Sequence, residues 1–364
     1  MGRKRGSSEF QIHLPTGLYE TVVFDRLKKH GKNRYSWFGH LKGRPDSRIS
    51  FAVVSGYFAG ALHSEKEVFE FTPQAKNSIR IAELATENFE ACDGEEVIME
   101  VSKQAEAPGF DQQNPTNASP TSSRAGITDT FDVMVIYTPQ ARDGAGGVSA
   151  IEATAQAAVD AMNTSFSNSN VDAEATLSYA GLANYNDSGD SSDDLAWVRT
   201  DAIVAQLRTA YGADMVSLLV NSTSSCGRGY VMSSPGPGFA AFAYQVTRRS
   251  CAVGNLSFAH EFGHNMGLEH NPEDSSTAPE NASNPWSYGH YHNNSYRTVM
   301  SYSAQCANGC SRRQYYSNPD VQYNGLDTGI EETRDNARTL RQTAAIVADF
   351  RPPANDTIFE DGYE

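Results

Sequence analysis

Two histidines with a glutamate between them form the stretch of this sequence with the clearest potential for chemistry. His260 and His264 are four residues apart, so both imidazoles lie on one face of a helix and can reach one ion. Glu261 projects beside the same site, where it can hold and deprotonate a water molecule. Gly267 can take the positive φ that turns the chain out of the helix, and His270 can then return as a third ligand. Three protein ligands and one open position are typical of a catalytic zinc site.

The extended spacing of these residues makes a chance match rare. A chain of this length contains a bare His-Glu-x-x-His by chance at roughly the few-per-cent level, and the added Gly267 and His270 lower this to about one in ten thousand. A helix with solvated or core histidines is the alternative interpretation.

The complete stretch resembles the zinc motif of the metzincin metallopeptidases. That family carries a second signature, a methionine turn beneath the zinc, and residues 298–302 fit it with Met300 at the centre.

The resemblance covers residues 127–351 and extends beyond these two motifs. Residues 315–319 and a closing helix are similar to bacterial reprolysin-like enzymes, among which the peptidyl-Asp metalloendopeptidases look nearest. It implies an α+β fold, a metzincin catalytic domain with a mixed twisted sheet, a zinc-binding active-site helix and the methionine turn. Met300 would then be a soft floor under the histidines rather than a ligand. Tyr302 resembles a tyrosine that some metzincins place near zinc, as a fifth ligand or a stabiliser of the transition state.

Together these features predict a zinc-dependent endopeptidase that hydrolyses peptide bonds in proteins with metal-activated water. His260, His264 and His270 would hold one zinc ion, and Glu261 would be the general base. The alternative is a zinc-bound adhesion or toxin-like binding module that keeps the metzincin fold without turnover. The intact Glu261 argues against that alternative, because a binding module has no need of a general base.

The resemblance also implies cleavage beside acidic residues of a protein or peptide substrate, and this would need a basic pocket. Arg312 and Arg313 follow the methionine turn and are the candidates for it. Exposed surface arginines without such a role are the alternative.

The charge distribution limits the classes of partner. The net charge is −15, yet residues 1–50 hold 11 basic and 4 acidic residues, which leaves 18 and 40 for the remainder. An acidic body argues against nucleic acid as a partner.

No run of eighteen apolar residues occurs, so no membrane span is expected. We also expect the protein to be a monomer. Residues 1–6 are basic but no apolar region follows them, so no signal peptide is evident.

The five cysteines are relevant to the cellular compartment of the protein and to the regulation of its activity. Cys306 and Cys310 could close a short loop, and Cys226 and Cys251 could pair across the segment before the zinc helix. Two disulfides would suit a secreted enzyme, although spacing alone leaves the pairing open. Cys92 would then be the odd cysteine and a candidate switch that caps the zinc in a zymogen; a cysteine without a metal role is the alternative. A cytoplasmic zinc protein with five free thiols is the rival to export.

The order of alternating and helical patterns predicts how the chain is divided. Residues 1–102 read as a β-rich, propeptide-like domain, residues 103–126 as a polar linker, residues 127–351 as the catalytic domain and residues 352–364 as a tail.

Within the predicted catalytic domain, the pattern runs β-α-β-α-β-β-α. The predicted strands are residues 131–137, 173–179, 214–220 and 240–246, and the predicted helices are 149–166, 194–211, the zinc helix and a last helix at about 331–350. Residues 240–246 are expected to be the edge strand above the zinc, to which an extended substrate adds itself. The acidic residues 187–194 could bind Ca²⁺, but their spacing does not match an EF-hand loop, and a solvated loop with a helix cap is the favoured interpretation.

Overall fold

The computed structural model of this protein describes residues 9–85, 89, 97–98, 128–307 and 309–354. The strands are β1 (Glu9–His13), β2 (Tyr19–Gly31), β3 (Arg34–Leu41), β4 (Arg44–Val54), β5 (Tyr57–His63), β6 (Val68–Ala75), β7 (Ser78–Glu83), β8 (Val97–Ile98), β9 (Asp129–Tyr137), β10 (Ala173–Leu182), β11 (Met215–Val220), β12 (Gly227–Val231), β13 (Tyr244–Arg248), β14 (Tyr291–His292), β15 (Tyr296–Arg297), β16 (Ser311–Arg312), β17 (Gln322–Tyr323) and β18 (Leu326–Asp327). The α-helices are α1 (Pro139–Ala145), α2 (Val148–Asn168), α3 (Ser191–Thr200), α4 (Ala202–Ala210), α5 (Ser257–Asn265) and α6 (Asn336–Ala348).

The first seven strands form an antiparallel sheet in which each strand pairs with the next one along the chain. Apolar residues that alternate along these strands bury one face, and they include Ile12, Val22, Ile49, Phe51, Leu62, Phe69 and Phe71. Strands β4 and β5 form a hairpin, in which Val54 pairs with Tyr57 across a two-residue turn. Both turn residues, Ser55 and Gly56, have positive φ, which matches the twist of the paired strands.

A second sheet of six strands has the order β10-β9-β11-β13-β12-β8. Strands β10, β9, β11 and β13 run parallel, whereas β12 is antiparallel to β13. Parallel neighbours need a crossover, and helices α2 and α4 lie in the connections that lead to β10 and β11. Every residue of β11 is buried, as expected for a strand covered on both faces. The predicted combination of helices with a mixed sheet is thus confirmed.

Helix α2 lies between the two sheets and holds them together. It contacts β4 and β5 of the first sheet and β10 of the second. Its alanines are small enough for both sheets to approach closely, and it is buried on most of its surface. Ion pairs border this contact, from Lys28 to Glu174 and from Arg34 to Glu152. The first sheet is therefore docked on the second half of the chain rather than separate from it.

The structure differs from the prediction at three elements. The strand expected at residues 240–246 is instead a 3-10 helix, Pro237–Phe242, followed by β13, which lies inside the sheet. The helix expected at residues 194–211 is broken into α3 and α4 at Asp201, whose carboxylate accepts the N–H groups that start α4. Strand β12 was not predicted, because its two glycines give little strand signal.

Most of the predicted linker and tail lies outside the described residues, so the predicted domain boundaries stay predictions. In the part of the chain that the structure describes, no helix is long and apolar enough to cross a membrane.

Candidate metal centre

Helix α5 presents the histidine motif inside the second half of the molecule. All nine of its residues are buried, and it is preceded by Leu256 in a left-handed conformation with φ of 60°. The helix ends at Met266, and Gly267 follows with φ of 88°. A side chain at position 267 would also come within about 3 Å of Ser283, so glycine fits here for two reasons. This turn sends the chain back toward the helix and delivers His270.

The three predicted histidine ligands meet at one point. The Nε2 atom of His270 lies 3.1 Å from Nε2 of His260 and 3.1 Å from Nε2 of His264. All three residues are buried, and their candidate ligand atoms lie within 4.8 Å of one another. They form a group that could hold a metal ion, as the spacing predicted.

Backbone carbonyls fix the orientation of two of these rings. Nδ1 of His260 is 2.8 Å from the Val299 carbonyl, and Nδ1 of His264 is 2.8 Å from the Leu268 carbonyl. A carbonyl oxygen can only accept, so each Nδ1 carries the proton and each Nε2 lone pair is directed to the common point. Such outer hydrogen bonds are typical of metal-bound histidine, and three imidazole nitrogens suit zinc.

Electrostatics favour the ligand form of His260. Its pKa lies well below the usual value, chiefly because the ring is buried. The positive charge of Arg312 and the neighbouring His264 and His270 lower this pKa further. A neutral imidazole is the form that binds a metal ion.

Strand β12 lies directly against the motif glutamate. Glu261 is fully buried on α5, and a side chain at Gly227 would come within 2.6 Å of its Oε1 atom. A side chain at Gly229 would lie 2.8 Å from the Glu261 carbonyl oxygen. The two glycines thus allow a close approach that any side chain would prevent. They were missed in the sequence, where the pattern Gly-x-Gly before the motif was the available signal.

The side of β12 that faces away from β13 pairs with the short strand β8, the outermost strand of this sheet. Tyr230 pairs with Val97 and Val231 with Ile98, in parallel orientation. Strand β12 lies against Glu261, and β13 lies inside the sheet, so the prediction that residues 240–246 form the edge strand is wrong. The pattern misled because residues 240–246 are apolar and alternate, whereas the Pro-Gly sequence before them starts a 3-10 helix.

Met300 and Tyr302 lie on the turn that follows β15. Met300 is buried, and a side chain at Gly263 of α5 would come within 2.4 Å of its sulfur atom. The ring of Tyr302 is 4.0 Å from that of His270, centroid to centroid. Asn271 holds the turn by accepting the Tyr302 N–H through its side-chain oxygen at 3.0 Å. Both residues are thus placed beside the three histidines.

Both predicted cysteine pairs are disulfides. The first joins Cys226 to Cys251 and ties the start of β12 to the segment before α5. The second joins Cys306 to Cys310 after the turn that contains Met300 and Tyr302. The candidate switch residue, Cys92, lies outside the described residues.

The two candidate specificity arginines are buried, so the alternative of exposed surface arginines is wrong. Arg312 is 4% exposed and Arg313 is 2% exposed. Nη1 of Arg312 donates to the Asn255 carbonyl at 3.0 Å, immediately before the zinc helix. Arg313 donates to the carbonyls of Ser64 and Glu65 in the N-terminal sheet, at 2.5 and 2.7 Å.

The acidic segment 187–194 forms a loop and a helix cap. Asp190 caps α3 by accepting the N–H of Ser192 at 2.7 Å, which agrees with the predicted loop and helix cap. Asp194 accepts the Tyr185 hydroxyl at 2.8 Å. Among the described residues, the group of three or more potential metal ligands that converges is the histidine cluster, and Ca²⁺ has no support here.

Comparison with known proteins agrees with this geometry. Residues 128–317 match the model of metallo-peptidase family M12. A peptidyl-Asp metalloendopeptidase of Xanthomonas campestris pv. campestris is 34% identical over 276 residues, which cover 71% of this chain and 63% of that protein. One of Stenotrophomonas maltophilia (strain R551-3) is 33% identical over 238 residues, which cover 62% of this chain and 54% of that protein.

Among solved structures, one described as a chaperone-substrate complex matches with a TM-score of 0.51 and 20% identity. The match covers 62% of this chain and 39% of that chain, and it bears on the fold alone. The matched residues cover 63% and 54% of the length of these two curated relatives, so less than two thirds of either.

Proposed function

Because the chain belongs to metallo-peptidase family M12, we propose that it is a zinc-dependent endopeptidase that hydrolyses peptide bonds in proteins. One observation carries the proposal. Three imidazole Nε2 atoms converge beside a buried glutamate, directly under a strand whose outer edge can pair with a peptide. The names of the curated relatives, peptidyl-Asp metalloendopeptidases, support the same activity.

The histidines and the glutamate of the site have different roles in the proposed reaction. His260, His264 and His270 would hold the zinc, which when bound supplies a Lewis acid for the substrate carbonyl. Glu261 accepts a proton from the attacking water and returns it to the leaving amine. Its burial under β12 keeps bulk solvent away and holds the carboxylate close to the bond to be cleaved.

Met300 and Tyr302 have supporting roles in this proposal. Met300 packs against α5 at Gly263 and sets the height of the helix, so it acts on the histidines through packing. The hydroxyl of Tyr302 is the candidate for a fifth ligand or for a hydrogen bond to the developing oxyanion. Its ring lies against His270, which supports a place next to the reacting atoms.

We also propose that the enzyme is secreted as a zymogen. The two disulfides support an oxidising compartment. The N-terminal sheet is docked on the second half of the chain, and β8 pairs with the edge that a substrate would use. Cys92, five residues before β8 in the sequence, is the candidate for the thiol that would cap the zinc.

Substituting the general base tests the peptidase directly. Glu261→Gln should lower casein turnover by about 10²- to 10⁴-fold, because no other group takes the proton at that place. The variant should still bind one zinc per chain, since the three histidines are intact. Turnover is to be measured before and after limited proteolysis, with zinc content determined on the same samples. Undiminished turnover by Glu261→Gln would refute the assignment, and a zinc-loaded wild type that is silent in both states would favour the binding-module alternative.

A further inference from the structure

Helix α5 uses two neighbouring faces for two different contacts. His260 and His264 are four residues apart, and their Nε2 atoms meet at the candidate metal centre. Glu261 and Asn265 are also four residues apart, so they share the adjacent face, which lies against β12. One helix therefore carries two candidate metal ligands on one face and its contacts with β12 on the next.

The side chain of Asn265 joins this helix to two strands at once. Its Nδ2 atom donates to the Tyr230 carbonyl of β12 at 2.8 Å and to the Tyr244 carbonyl of β13 at 3.1 Å. The residue is fully buried, and its amide oxygen has no hydrogen-bond partner among the residues that the structure describes. The two N–H donors alone therefore orient this amide.

These two hydrogen bonds lie where β12 and β13 stop pairing with each other. The ladder between the strands ends at the pair of Gly229 with Gln245. Tyr230 and Tyr244 are the next residues of the two strands, and the Asn265 amide binds both of their carbonyls. Beyond the last pair, the inner side of β12 is thus held by the helix rather than by its neighbouring strand.

Two further connections fasten β12 to the helix and to the segment before it. The Met232 N–H, one residue beyond the strand, donates to the His264 carbonyl at 3.0 Å. At the other end, the disulfide between Cys226 and Cys251 fixes the residue before β12 to the segment before α5. A movement of the far end of β12 would therefore act directly on His264 and Glu261.

The distance between β12 and α5 matters for the proposed reaction. Glu261 lies against the two glycines of β12, and a peptide would pair with the outer side of the same strand. The strand thus sets the position of the scissile bond relative to Glu261 and the three histidines. Because a misplacement of about 1 Å can lower a rate about 10²-fold, a side chain that fixes this strand influences catalysis without contacting the substrate.

We propose that Asn265 is a positioning residue that holds β12 at the distance from helix α5 that peptide hydrolysis requires. The inference rests on the proposed endopeptidase function and adds to it a residue that neither binds zinc nor transfers a proton. Loss of the amide should loosen the far end of β12, while the three histidines keep their own backbone partners and spacing.

The test compares Asn265→Ala with Asn163→Ala in the full chain. Asn163 on α2 exchanges two hydrogen bonds with the backbone of Ala175 in β10, at 2.8 and 2.7 Å. It offers the same kind of helix–strand contact at the opposite side of the sheet from β12. For each zinc-loaded protein, kcat and KM for casein are measured before and after limited proteolysis, together with zinc content. Hydrogen exchange of the Met232 amide is measured as a readout that needs no activity.

Asn265→Ala should lower kcat about 10- to 100-fold and leave KM and zinc content within about twofold of wild type, because the peptide still binds but its carbonyl is misplaced. The Met232 amide should exchange about 10- to 100-fold faster, since this end of the strand loses the hydrogen bonds that hold it. Asn163→Ala should keep both kcat and the Met232 exchange rate at the wild-type values.

A wild-type kcat or a wild-type Met232 exchange rate in Asn265→Ala would overturn the inference. An equal loss of kcat in Asn163→Ala would also overturn it, because any lost helix–strand contact would then have the same effect. If Asn265→Ala fails to fold, Asn265→Ser, which leaves at most one donor, is measured in its place, and wild-type values there would contradict the proposal. A zinc-loaded wild type that never cleaves casein refutes the peptidase itself, whereas unchanged Met232 exchange in the variant refutes the inference alone.

Discussion

The metal centre and the contact between the two sheets both bury ionisable side chains, but they hold them by different means. At the metal centre, backbone carbonyls of the second half of the chain orient the rings of His260 and His264. At the contact, the buried carboxylate of Asp160 accepts from Ser36, and that of Glu70 accepts from the Gly254 N–H at 3.3 Å. The first arrangement belongs to one half of the chain, whereas the second exists only while the two halves stay together.

The protonation states of the buried groups also differ between the metal centre and the contact of the two sheets. Burial keeps the pKa of His260 well below its usual value, which leaves the ring neutral and able to bind a metal ion. Burial raises the pKa of Asp160 to about 6 and that of Glu70 to about 7. Hydrogen bonds from Ser36 and Gln156, together with the charges of Lys28 and Arg26, lower the Asp160 value but do not outweigh burial.

The sign of the pH dependence follows from these shifts. A carboxylate with a raised pKa contributes stability below its ordinary pKa and loses that contribution as the pH rises through the folded value. Asp160 and Glu70 therefore weaken the contact between about pH 4 and pH 7. His30, which lies 2.8 Å from the Ser36 hydroxyl, has a pKa lowered to about 4 by burial, so it acts in reverse and weakens the contact as the pH falls below 6.5. The comparison teaches that pH changes the stability of the contact between the sheets, whereas the orientation of the histidine rings depends on backbone carbonyls, which do not titrate.

The largest effect is expected where β12 meets Glu261. Gly227→Ala would place a methyl group within 2.6 Å of Oε1 and displace the carboxylate. A displacement of about 1 Å can lower kcat by about 10²-fold, while zinc content should stay at the wild-type value. Gly236→Ala is the matched control, since nothing lies within 4 Å of a side chain there and its φ of 168° suits any residue. Equal kcat in the two variants would disprove the close approach.

A smaller effect is expected from the buried carboxylate at the contact. Asp160→Asn removes the carboxyl group that must lose a proton as the pH rises. The free energy of unfolding of the variant should therefore lack the decrease that this group causes above about pH 4. Relative to wild type, the variant should gain about 2 to 3 kcal/mol in free energy of unfolding between pH 4 and pH 8. Urea unfolding at both pH values measures this difference. Asp172→Asn, at an exposed position, should show no such trend, and a parallel response of the two variants would contradict the assignment.

The smallest effect concerns the cysteine before β8. Cys92→Ala should raise the casein turnover of the uncleaved chain about tenfold, because a thiol latch and the docked sheet would hold the enzyme latent together. A thiol-modifying reagent should activate the wild type to a similar degree and leave Cys92→Ala unchanged. Unaltered latency in the variant would mean that the contact between the sheets suffices without the thiol.

Local patterns predicted much of the second half of the chain. The strand at residues 131–137, the helix at 149–166 and the strand at 214–220 agree with β9, α2 and β11 within a few residues. Their apolar periods are local and strong, so they needed no knowledge of neighbours. The prediction failed where tertiary contacts decided, as at β12, whose glycines are favourable only because Glu261 lies against them. The break at Asp201 was missed because one capping carboxylate divides a continuous helical pattern.

The sequence by itself determined the chemistry of the metal centre. Spacing of four residues on a helix, followed by a glycine turn, brings His260, His264 and His270 together through local backbone geometry. Only the tertiary structure decided which strand covers Glu261 and which arginine faces the zinc helix. Those relations join residues far apart in the chain, and such pairings depend on how distant surfaces pack rather than on any local period.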